Sequence, residues 1–319
     1  MDHPQTNFYG DLNQSSLLSL KVVSYILISS SFLAIIGPVV GEIAATLPPI
    51  LLPGLSQNAK DLGIPYEDVS FPTSGNITLK GWFFALEDFE APTVIYAPAT
   101  SKDQRSGLTL VPTLHEAGYQ VLLFSYRGHG TSEGNPFQFT YGAKESEDID
   151  AAVRYLSEKK GIKKIAAIGH SAGAVSILLS AARNPGIDAV VAVAAFASLE
   201  EIWETSRPTI IPKTLLDLTM RISELRKGFD RNQVRPMDVI GKIAPRPLLL
   251  IHGSEDQRIT KNQVDQLFNA AEGPKYLWHV AGAGHDEVRS PGLDQLMPKI
   301  IGFLNQALNV TAAPVNPNL

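Results

Sequence analysis

The chain has 319 residues, of which 44% are hydrophobic and 18% charged, and its formal net charge is -5. This length admits one large domain or two smaller ones, and the composition indicates a folded core. An acidic balance argues against nucleic acid as a partner. The absence of cysteine excludes disulfides, thiolate metal sites and cysteine nucleophiles. The seven histidines show no H-x-x-x-H or H-x-H spacing, so we expect no metal and no other cofactor.

The N-terminal region contains a long uncharged run. Residues 22–41, VVSYILISSSFLAIIGPVVG, include no charged side chain. About twenty apolar residues span a bilayer, so the run predicts a transmembrane anchor. A cleaved signal peptide, which would leave a secreted protein, and a buried core helix are the alternatives. Lys21 precedes the run and Glu42 follows it, which favours a single-pass membrane protein whose catalytic body lies on the non-cytoplasmic side.

The rest of the chain divides into four segments, one before the uncharged run and three after it. Residues 1–21 form an N-terminal tail, and residues 42–62 form an apolar connector that contains three prolines. Residues 63–309 carry the regular alternation expected of a folded domain. Residues 310–319 form a C-terminal tail.

Strands and helices alternate along the body. A turn at Ser74-Gly75-Asn76 separates two strands rich in β-branched and aromatic residues, which predicts an antiparallel hairpin at one edge of a sheet. Short apolar runs then predict six buried strands, at residues 93–98, 120–126, 163–170, 189–196, 247–253 and 275–282. Helices are expected at about 104–117, 143–160 and 172–183, and after each of the last two strands. This alternation predicts a parallel sheet flanked by helices.

One segment breaks the alternation. Residues 197–245 contain two helix-like pieces, at 199–206 and about 212–227, where a single crossover helix would suffice. An insertion at the carboxyl ends of the strands predicts a small helical lid. Within it, Ile211, Leu215, Leu218 and Ile222 share one helix face, and we expect that face either to cover an acyl pocket or to pack on the body.

Three residue types with complementary chemistry follow strand ends in chain order. Ser171 lies in GHSAG after the strand at 163–170, Asp256 follows the strand at 247–253, and His285 follows the strand at 275–282. Ligands of parallel sheets bind where the carboxyl ends of strands converge. A serine becomes a nucleophile when a histidine accepts its proton, and a carboxylate orients that histidine. The pattern therefore predicts a catalytic triad.

The surroundings of the serine favour the same chemistry. Gly169 and Gly173 permit a sharp turn from strand into helix, which leaves Ser171 exposed at its tip. The N–H of Ala172 lies at the start of that helix, where an unpaired donor and the helix dipole favour an oxyanion.

Other candidates for these roles receive a different interpretation. Glu255 stands beside Asp256 as a rival acid, and we favour the shorter aspartate for a tight loop. A structural role is expected of the remaining body histidines considered: His115, His129, His170 and His252.

Residues 63–309 resemble the alpha/beta-hydrolase superfamily. Besides GHSAG, the stretch SYRGHGTSEG at 125–134 is similar to the loop after the fourth strand of its serine hydrolases, and RPLLLIHGSEDQRI and GAGHDEV match the acid and histidine segments. The resemblance implies an eight-stranded, mostly parallel sheet and a Ser171–His285–Asp256 triad. It also implies esterase-like or lipase-like activity.

The chain departs from the family pattern after the third strand. Many relatives carry His-Gly there, and the N–H of the next residue completes the oxyanion hole. This sequence has Ala97-Pro98. By register the second donor is the N–H of Ala99, with Thr100 as the neighbouring alternative.

The expected function is a membrane-anchored serine hydrolase that cleaves carboxylic esters through an acyl-enzyme. Its substrate would be a small-molecule or lipid ester, because the predicted anchor holds the domain near a bilayer. A peptidase, a thioesterase or a perhydrolase on the same triad remains an alternative. A catalytically inactive binding module is the alternative from another class of protein.

Overall fold

The computed structural model describes residues 58–207, 209, 211–288 and 292–310, together with residues 37 and 40. The predicted transmembrane run 22–41 lies outside these residues apart from Gly37 and Val40, as does most of the connector. Across the described ranges, no helix combines the length and the apolar composition that crossing a bilayer requires. The anchor therefore stays a prediction from sequence.

A single sheet of eight strands organises the described part of the chain. Its strand order is β1-β2-β4-β3-β5-β6-β7-β8. The hairpin β1–β2 is antiparallel, β2 joins β4 in antiparallel fashion, and every later pair is parallel. The bounds are β1 Glu67–Thr73, β2 Ile77–Phe84, β3 Thr93–Ala97, β4 Gln120–Phe124, β5 Ile165–His170, β6 Ala189–Val193, β7 Leu248–Gly253 and β8 Lys275–Val280. The mostly parallel eight-stranded sheet and its edge hairpin are confirmed.

Burial explains why these residues form these strands. All residues of β3 to β7 are buried, so both faces of the central sheet are covered and the strands read as continuous apolar runs. At one edge, β1 alternates between buried and exposed residues. At the other, the residues of β8 are only partly buried or exposed.

Helices cover both faces of the sheet. Their bounds are α1 Val111–Glu116, α2 Glu145–Lys159, α3 Ala172–Ala181, α4 Leu199–Ser206, α5 Lys213–Lys227, α6 Lys261–Ala270 and α7 Gly292–Leu308. Each residue of α3 is buried. Arg246 donates hydrogen bonds to the carbonyls of Ala181, Asn184 and Ile187 at 2.6, 2.8 and 2.9 Å, and so satisfies the C-terminal end of α3.

The helix expected at about 104–117 has two parts. Residues Gln104–Leu110 form a 3₁₀ helix, and α1 begins only at Val111. Pro112 lies in the first turn of α1, where its missing N–H is not needed. A continuous α-helix from residue 104 would instead place the proline ring against the carbonyl of Leu108. The single-helix prediction was therefore wrong in type over its first half.

The insertion between β6 and β7 is helical, as predicted. It contains α4, α5 and three short 3₁₀ helices, Arg231–Gln233, Pro236–Asp238 and Ile240–Ile243. The buried residues of α5 are Leu216, Thr219, Met220, Ser223 and Lys227.

The helix face that was expected to cover an acyl pocket or to pack on the body is only partly buried, and the choice between these roles stays a prediction. Leu218, on the expected apolar face, is 40% exposed, and Ile211, Leu215 and Ile222 are only partly buried. Two polar contacts tie the C-terminal end of the helix to the body: Arg226 donates to the carbonyl of Phe137 at 2.8 Å, and Lys144 donates to that of Lys227 at 2.7 Å. The buried stripe of the helix begins at Leu216.

Candidate active site

Ser171 occupies the corner between β5 and α3. Its backbone has φ 54° and ψ -122°, a conformation with positive φ that a serine adopts only at a cost. Its N–H donates to the carbonyl of Val193 at 2.9 Å, and its carbonyl accepts from the N–H of Val175 at 3.1 Å. The corner is therefore held by the neighbouring strand on one side and by the helix on the other.

The two flanking glycines are needed because backbones approach closely here. A Cβ at Gly169 would lie 2.6 Å from the carbonyl carbon of Gly173. A Cβ at Gly173 would lie 2.5 Å from the carbonyl oxygen of Pro98 and closer still to that of Ala97. Any side chain would thus push α3 away from β5 or from the end of β3.

Asp256 follows the end of β7 and is 6% exposed. Its Oδ1 accepts hydrogen bonds from the backbone N–H groups of Arg258 and Ile259, both at 2.9 Å. Its Oδ2 lies 2.7 Å from Nδ1 of His285. The rival acid Glu255 is exposed, and its N–H bonds to the carbonyl of Ala283. Asp256 is therefore the carboxylate that contacts the histidine.

His285 lies in the segment after β8 and completes a hydrogen-bonded chain. Its Nε2 is 3.2 Å from Oγ of Ser171, while its Nδ1 faces Asp256. The His285 side chain is 10% exposed. A neutral imidazole that donates from Nδ1 can accept the serine proton at Nε2. The structure thus brings together the three side chains that the sequence analysis selected.

The environment of Asp256 keeps its carboxylate charged. Burial raises the pKa of the Asp256 carboxyl, but the hydrogen bonds from His285 and from the N–H groups of Ile259 and Arg258 outweigh burial. The net pKa lies below the ordinary value. A carboxylate in this state can orient the imidazole and stabilise its protonated form.

The two predicted oxyanion donors follow the ends of two neighbouring parallel strands, β5 and β3. Ala172 is the first residue of α3, and Ala99 follows the end of β3. Both are buried. Among the described residues, neither N–H donates a hydrogen bond within the protein. Thr100, the alternative second donor, is partly buried, and the choice between it and Ala99 stays a prediction.

The loop that carries Ala99 is fixed by its own side chains. The carboxylate of Asp103 is buried and accepts from the backbone N–H of Arg105 at 3.0 Å. The Arg105 guanidinium pairs with the same carboxylate at 2.6 Å. The N–H of Lys102 donates to the carbonyl of Ala99 at 3.1 Å. This turn fixes the backbone at Ala99, directly after Pro98, whose carbonyl oxygen lies close to Gly173.

Sequence reasoning missed the side chains that shape the loop after β4. Arg127 pairs with Asp148, whose side chain is fully buried, at 2.7 Å, and the backbone N–H of Arg127 bonds the same carboxylate at 3.1 Å. The resemblance singled out the stretch SYRGHGTSEG but gave these residues no role. A polar residue on the buried face of the predicted helix at 143–160 was the available signal.

A series of edge-to-face aromatic contacts connects this loop to the insertion. Phe139 contacts Tyr141 at 5.5 Å between ring centroids, and Tyr141 contacts Trp203 of α4 at 5.8 Å. The ammonium of Lys227 lies 4.8 Å from the Tyr141 ring. No local sequence pattern indicates these contacts, because their members come from three separate segments.

Comparisons with known proteins agree with this architecture. A family model described as the alpha/beta hydrolase fold matches residues 97–217. YfhR of Escherichia coli K12 is 28% identical over 254 residues, which cover 76% of this chain and 82% of that protein. YqkD of Bacillus subtilis is 28% identical over 220 residues, which cover 67% of this chain and 71% of that protein.

A solved structure gives the same result at the level of the fold. The Pyrococcus furiosus esterase Pf2001 superposes with a TM-score of 0.66 and 24% identity, over 82% of this chain and 98% of that one. With the strand order and the matched family model, these findings show that the chain has the alpha/beta-hydrolase fold.

The close approach at Gly173 makes a prediction about stability. Gly173→Ala should lower the free energy of unfolding by about 2–3 kcal/mol, because its Cβ would collide with two carbonyl oxygens that belong to buried backbone. Denaturant unfolding followed by circular dichroism measures this change.

Gly302→Ala is the matched control. Gly302 lies inside α7 and has no heavy atom within 4 Å of an added Cβ. Alanine there should leave stability unchanged or raise it by up to about 1 kcal/mol. A Gly173→Ala protein as stable as the wild type would contradict the steric account of the corner.

Proposed function

We propose that this protein is a serine hydrolase that cleaves carboxylic esters through an acyl-enzyme on Ser171. The observation that carries the proposal is the hydrogen-bonded chain from Asp256 through His285 to Ser171, with spacings of 2.7 and 3.2 Å. Such a chain converts an unreactive hydroxyl into a nucleophile at neutral pH.

In the proposed acylation step, Oγ of Ser171 attacks the ester carbonyl carbon while Nε2 of His285 takes the hydroxyl proton. Asp256 stabilises the resulting imidazolium through Nδ1. The carbonyl oxygen becomes an oxyanion, which the N–H groups of Ala172 and Ala99 would bind. The carbon–oxygen bond to the alcohol then breaks, and His285 gives its proton to the departing alcohol.

Deacylation repeats these steps with a water molecule as the attacking nucleophile. His285 removes a proton from a water molecule as that water attacks the acyl-enzyme carbonyl, and the same donors would hold the second oxyanion. The bond to Ser171 then breaks and Oγ recovers its proton from His285. The carboxylic acid leaves and the enzyme returns to its starting state.

Esters are the proposed substrates for two reasons. An alcohol is a good leaving group for a serine triad whose histidine supplies one proton. The Pyrococcus furiosus protein with the similar fold is described as an esterase. Amides and thioesters react through the same steps, so matched esters, anilides and thioesters need to be compared as substrates.

A fluorophosphonate probe tests the nucleophile directly. Wild-type protein should be labelled at Ser171, and Ser171→Ala should not be labelled and should lose ester hydrolysis by about 10⁴-fold or more. Intact-protein mass spectrometry and p-nitrophenyl ester hydrolysis provide the two measurements.

Ser176→Ala is the control, because Ser176 lies one turn further along the same helix and its hydroxyl bonds the carbonyl of Ala172. This variant should be labelled like the wild type. Equal labelling of Ser171→Ala, or an unlabelled wild type, would remove the enzyme proposal and favour a binding module. Faster turnover of matched anilides or thioesters than of esters would reassign the substrate bond.

A second prediction concerns Asp256, the proposed acid of the triad. Asp256→Asn should reduce kcat by about 10⁴-fold, because the amide favours the wrong histidine tautomer. Glu255→Gln should stay within about threefold of wild type, because its side chain is exposed and lies outside the hydrogen-bonded chain. Steady-state kinetics on one soluble ester compare the two. A larger loss in Glu255→Gln would assign the acid to Glu255.

Membrane anchoring through residues 22–41 belongs to the same proposal, and lipid or long-chain acyl esters would be its natural substrates. The full-length chain should stay with membranes after a carbonate wash, because twenty uncharged residues favour the bilayer interior. A chain shortened to begin at Asn58, which keeps the buried Ala59, should be released. Full-length protein in the wash supernatant would contradict the anchor.

A further inference from the structure

His170, the residue before the proposed nucleophile, makes a contact that crosses the site. Its side chain is 2% exposed, and its Nε2 lies 3.1 Å from the backbone carbonyl oxygen of His285. A ring nitrogen that contacts a carbonyl oxygen at this distance must carry the hydrogen and donate it. The two imidazole rings lie 5.1 Å apart between centroids and are tilted by 47°.

The acid and base segments are joined to each other by hydrogen bonds of their own. The N–H of Gly282 donates to Oγ of Ser254 at 2.8 Å, and the N–H of Glu255 donates to the carbonyl of Ala283 at 2.9 Å. Strands β7 and β8, which precede these segments, are paired along their full length. The segments that carry Asp256 and His285 are therefore tied to each other independently of the contact between the two side chains.

The nucleophile belongs to a different part of the sheet. Strand β5 carries Ser171 at its end, and β6 separates it from β7 and β8. The N–H of Ser171 is held by Val193 of β6. Among the hydrogen bonds of the described residues, those between the residues 169–173 and the segment 281–288 are the catalytic contact itself and the bond from His170 to the His285 carbonyl.

We propose that His170 is a positioning residue, which fixes the distance between nucleophile and base by tying the backbone of His285 to the residue next to Ser171. This inference rests on the proposed function. The catalytic contact is made by a hydroxyl and an imidazole that both change partners during the reaction. The bond from His170 to a backbone carbonyl persists through every step, so it keeps the base in place when the serine proton has moved.

The expected effect on the reaction rate follows from the distance between the base and the nucleophile. Displacing a catalytic group by about 1 Å costs on the order of 10²-fold in rate, because reacting atoms must meet within a narrow range of distance. Loss of the bond should therefore lower kcat, while KM, which depends on the substrate-binding surfaces, stays close to wild type. A merely structural histidine would instead lower stability and the fraction of active protein.

Three variants at this position separate the two roles. His170→Leu removes the donor, His170→Asn keeps a polar side chain that is too short to reach, and His170→Gln places an amide N–H near the position of Nε2. His115→Leu is the matched control. There an imidazole Nε2 makes the same kind of contact, 3.1 Å from the carbonyl oxygen of Ala85, far along the chain from the three strand ends that carry the site.

The measurements are kcat per active site titrated with a fluorophosphonate, KM for one soluble ester, and the midpoint of thermal unfolding. His170→Leu and His170→Asn should lower kcat per titrated site by about 10- to 100-fold with KM within about twofold. His170→Gln should recover to within about threefold of wild type, and His115→Leu should keep wild-type kcat whatever its melting temperature.

Two results would overturn the inference: wild-type kcat per titrated site in His170→Asn, or an equal loss in His170→Gln and His170→Asn. If His170→Leu does not fold, the comparison of Gln with Asn decides alone. Failure of the wild type itself to react with the probe would contradict the proposed function. This outcome differs from failure of the positioning role, because it appears before any variant is measured.

Discussion

The close approach of three backbone segments at Gly169 and Gly173 is the constraint on which the rest of the site depends. Here the end of β3, the end of β5 and the first turn of α3 meet with no room for a side chain. This contact forces the corner at Ser171 into a positive φ and keeps it there, since strand and helix hold it from both sides. It also places Ala97 and Pro98, which precede Ala99, against the first turn of α3. The strained serine and the two predicted oxyanion donors are thus consequences of one packing event.

The other half of the site is built by hydrogen bonds at the edge of the sheet. Asp256 stays charged although it is buried, because backbone N–H groups and the imidazole all donate to it. An isolated buried carboxylate would be costly, and its pKa would rise until it became neutral. The parallel direction of β5, β6, β7 and β8 places all three side chains at the same end of the sheet. Packing therefore positions Ser171, and polar contacts position Asp256 and His285.

The sequence predicted the features that depend on local pattern. Apolar runs located six strands, the turn at Ser74-Gly75-Asn76 located the edge hairpin, and the order of Ser171, Asp256 and His285 after three of the strands placed these residues together. The buried stripe of α5 was not predicted, and the hydrogen bonds at the end of this helix join it to Phe137 and Lys144, which are 89 and 83 residues away from their partners. The contact of His170 was also not predicted, because its partner, the carbonyl of His285, lies 115 residues further along the chain. A hydrogen bond from a side chain to backbone far along the chain produces no periodic pattern in the sequence.

The same distinction separates the chemistry from the choice of substrate. Every group proposed to act on the reacting bond is fixed by the sheet, α3 or the short segments after strand ends. The insertion is joined to the body mainly by contacts of its own side chains, such as Trp203 on Tyr141 and Lys227 over the same ring. Neither helix contributes a hydrogen bond to the chain from Asp256 through His285 to Ser171. Because one fold hosts many activities, the site supports a proposal about the bond cleaved more directly than one about the molecule that contains it.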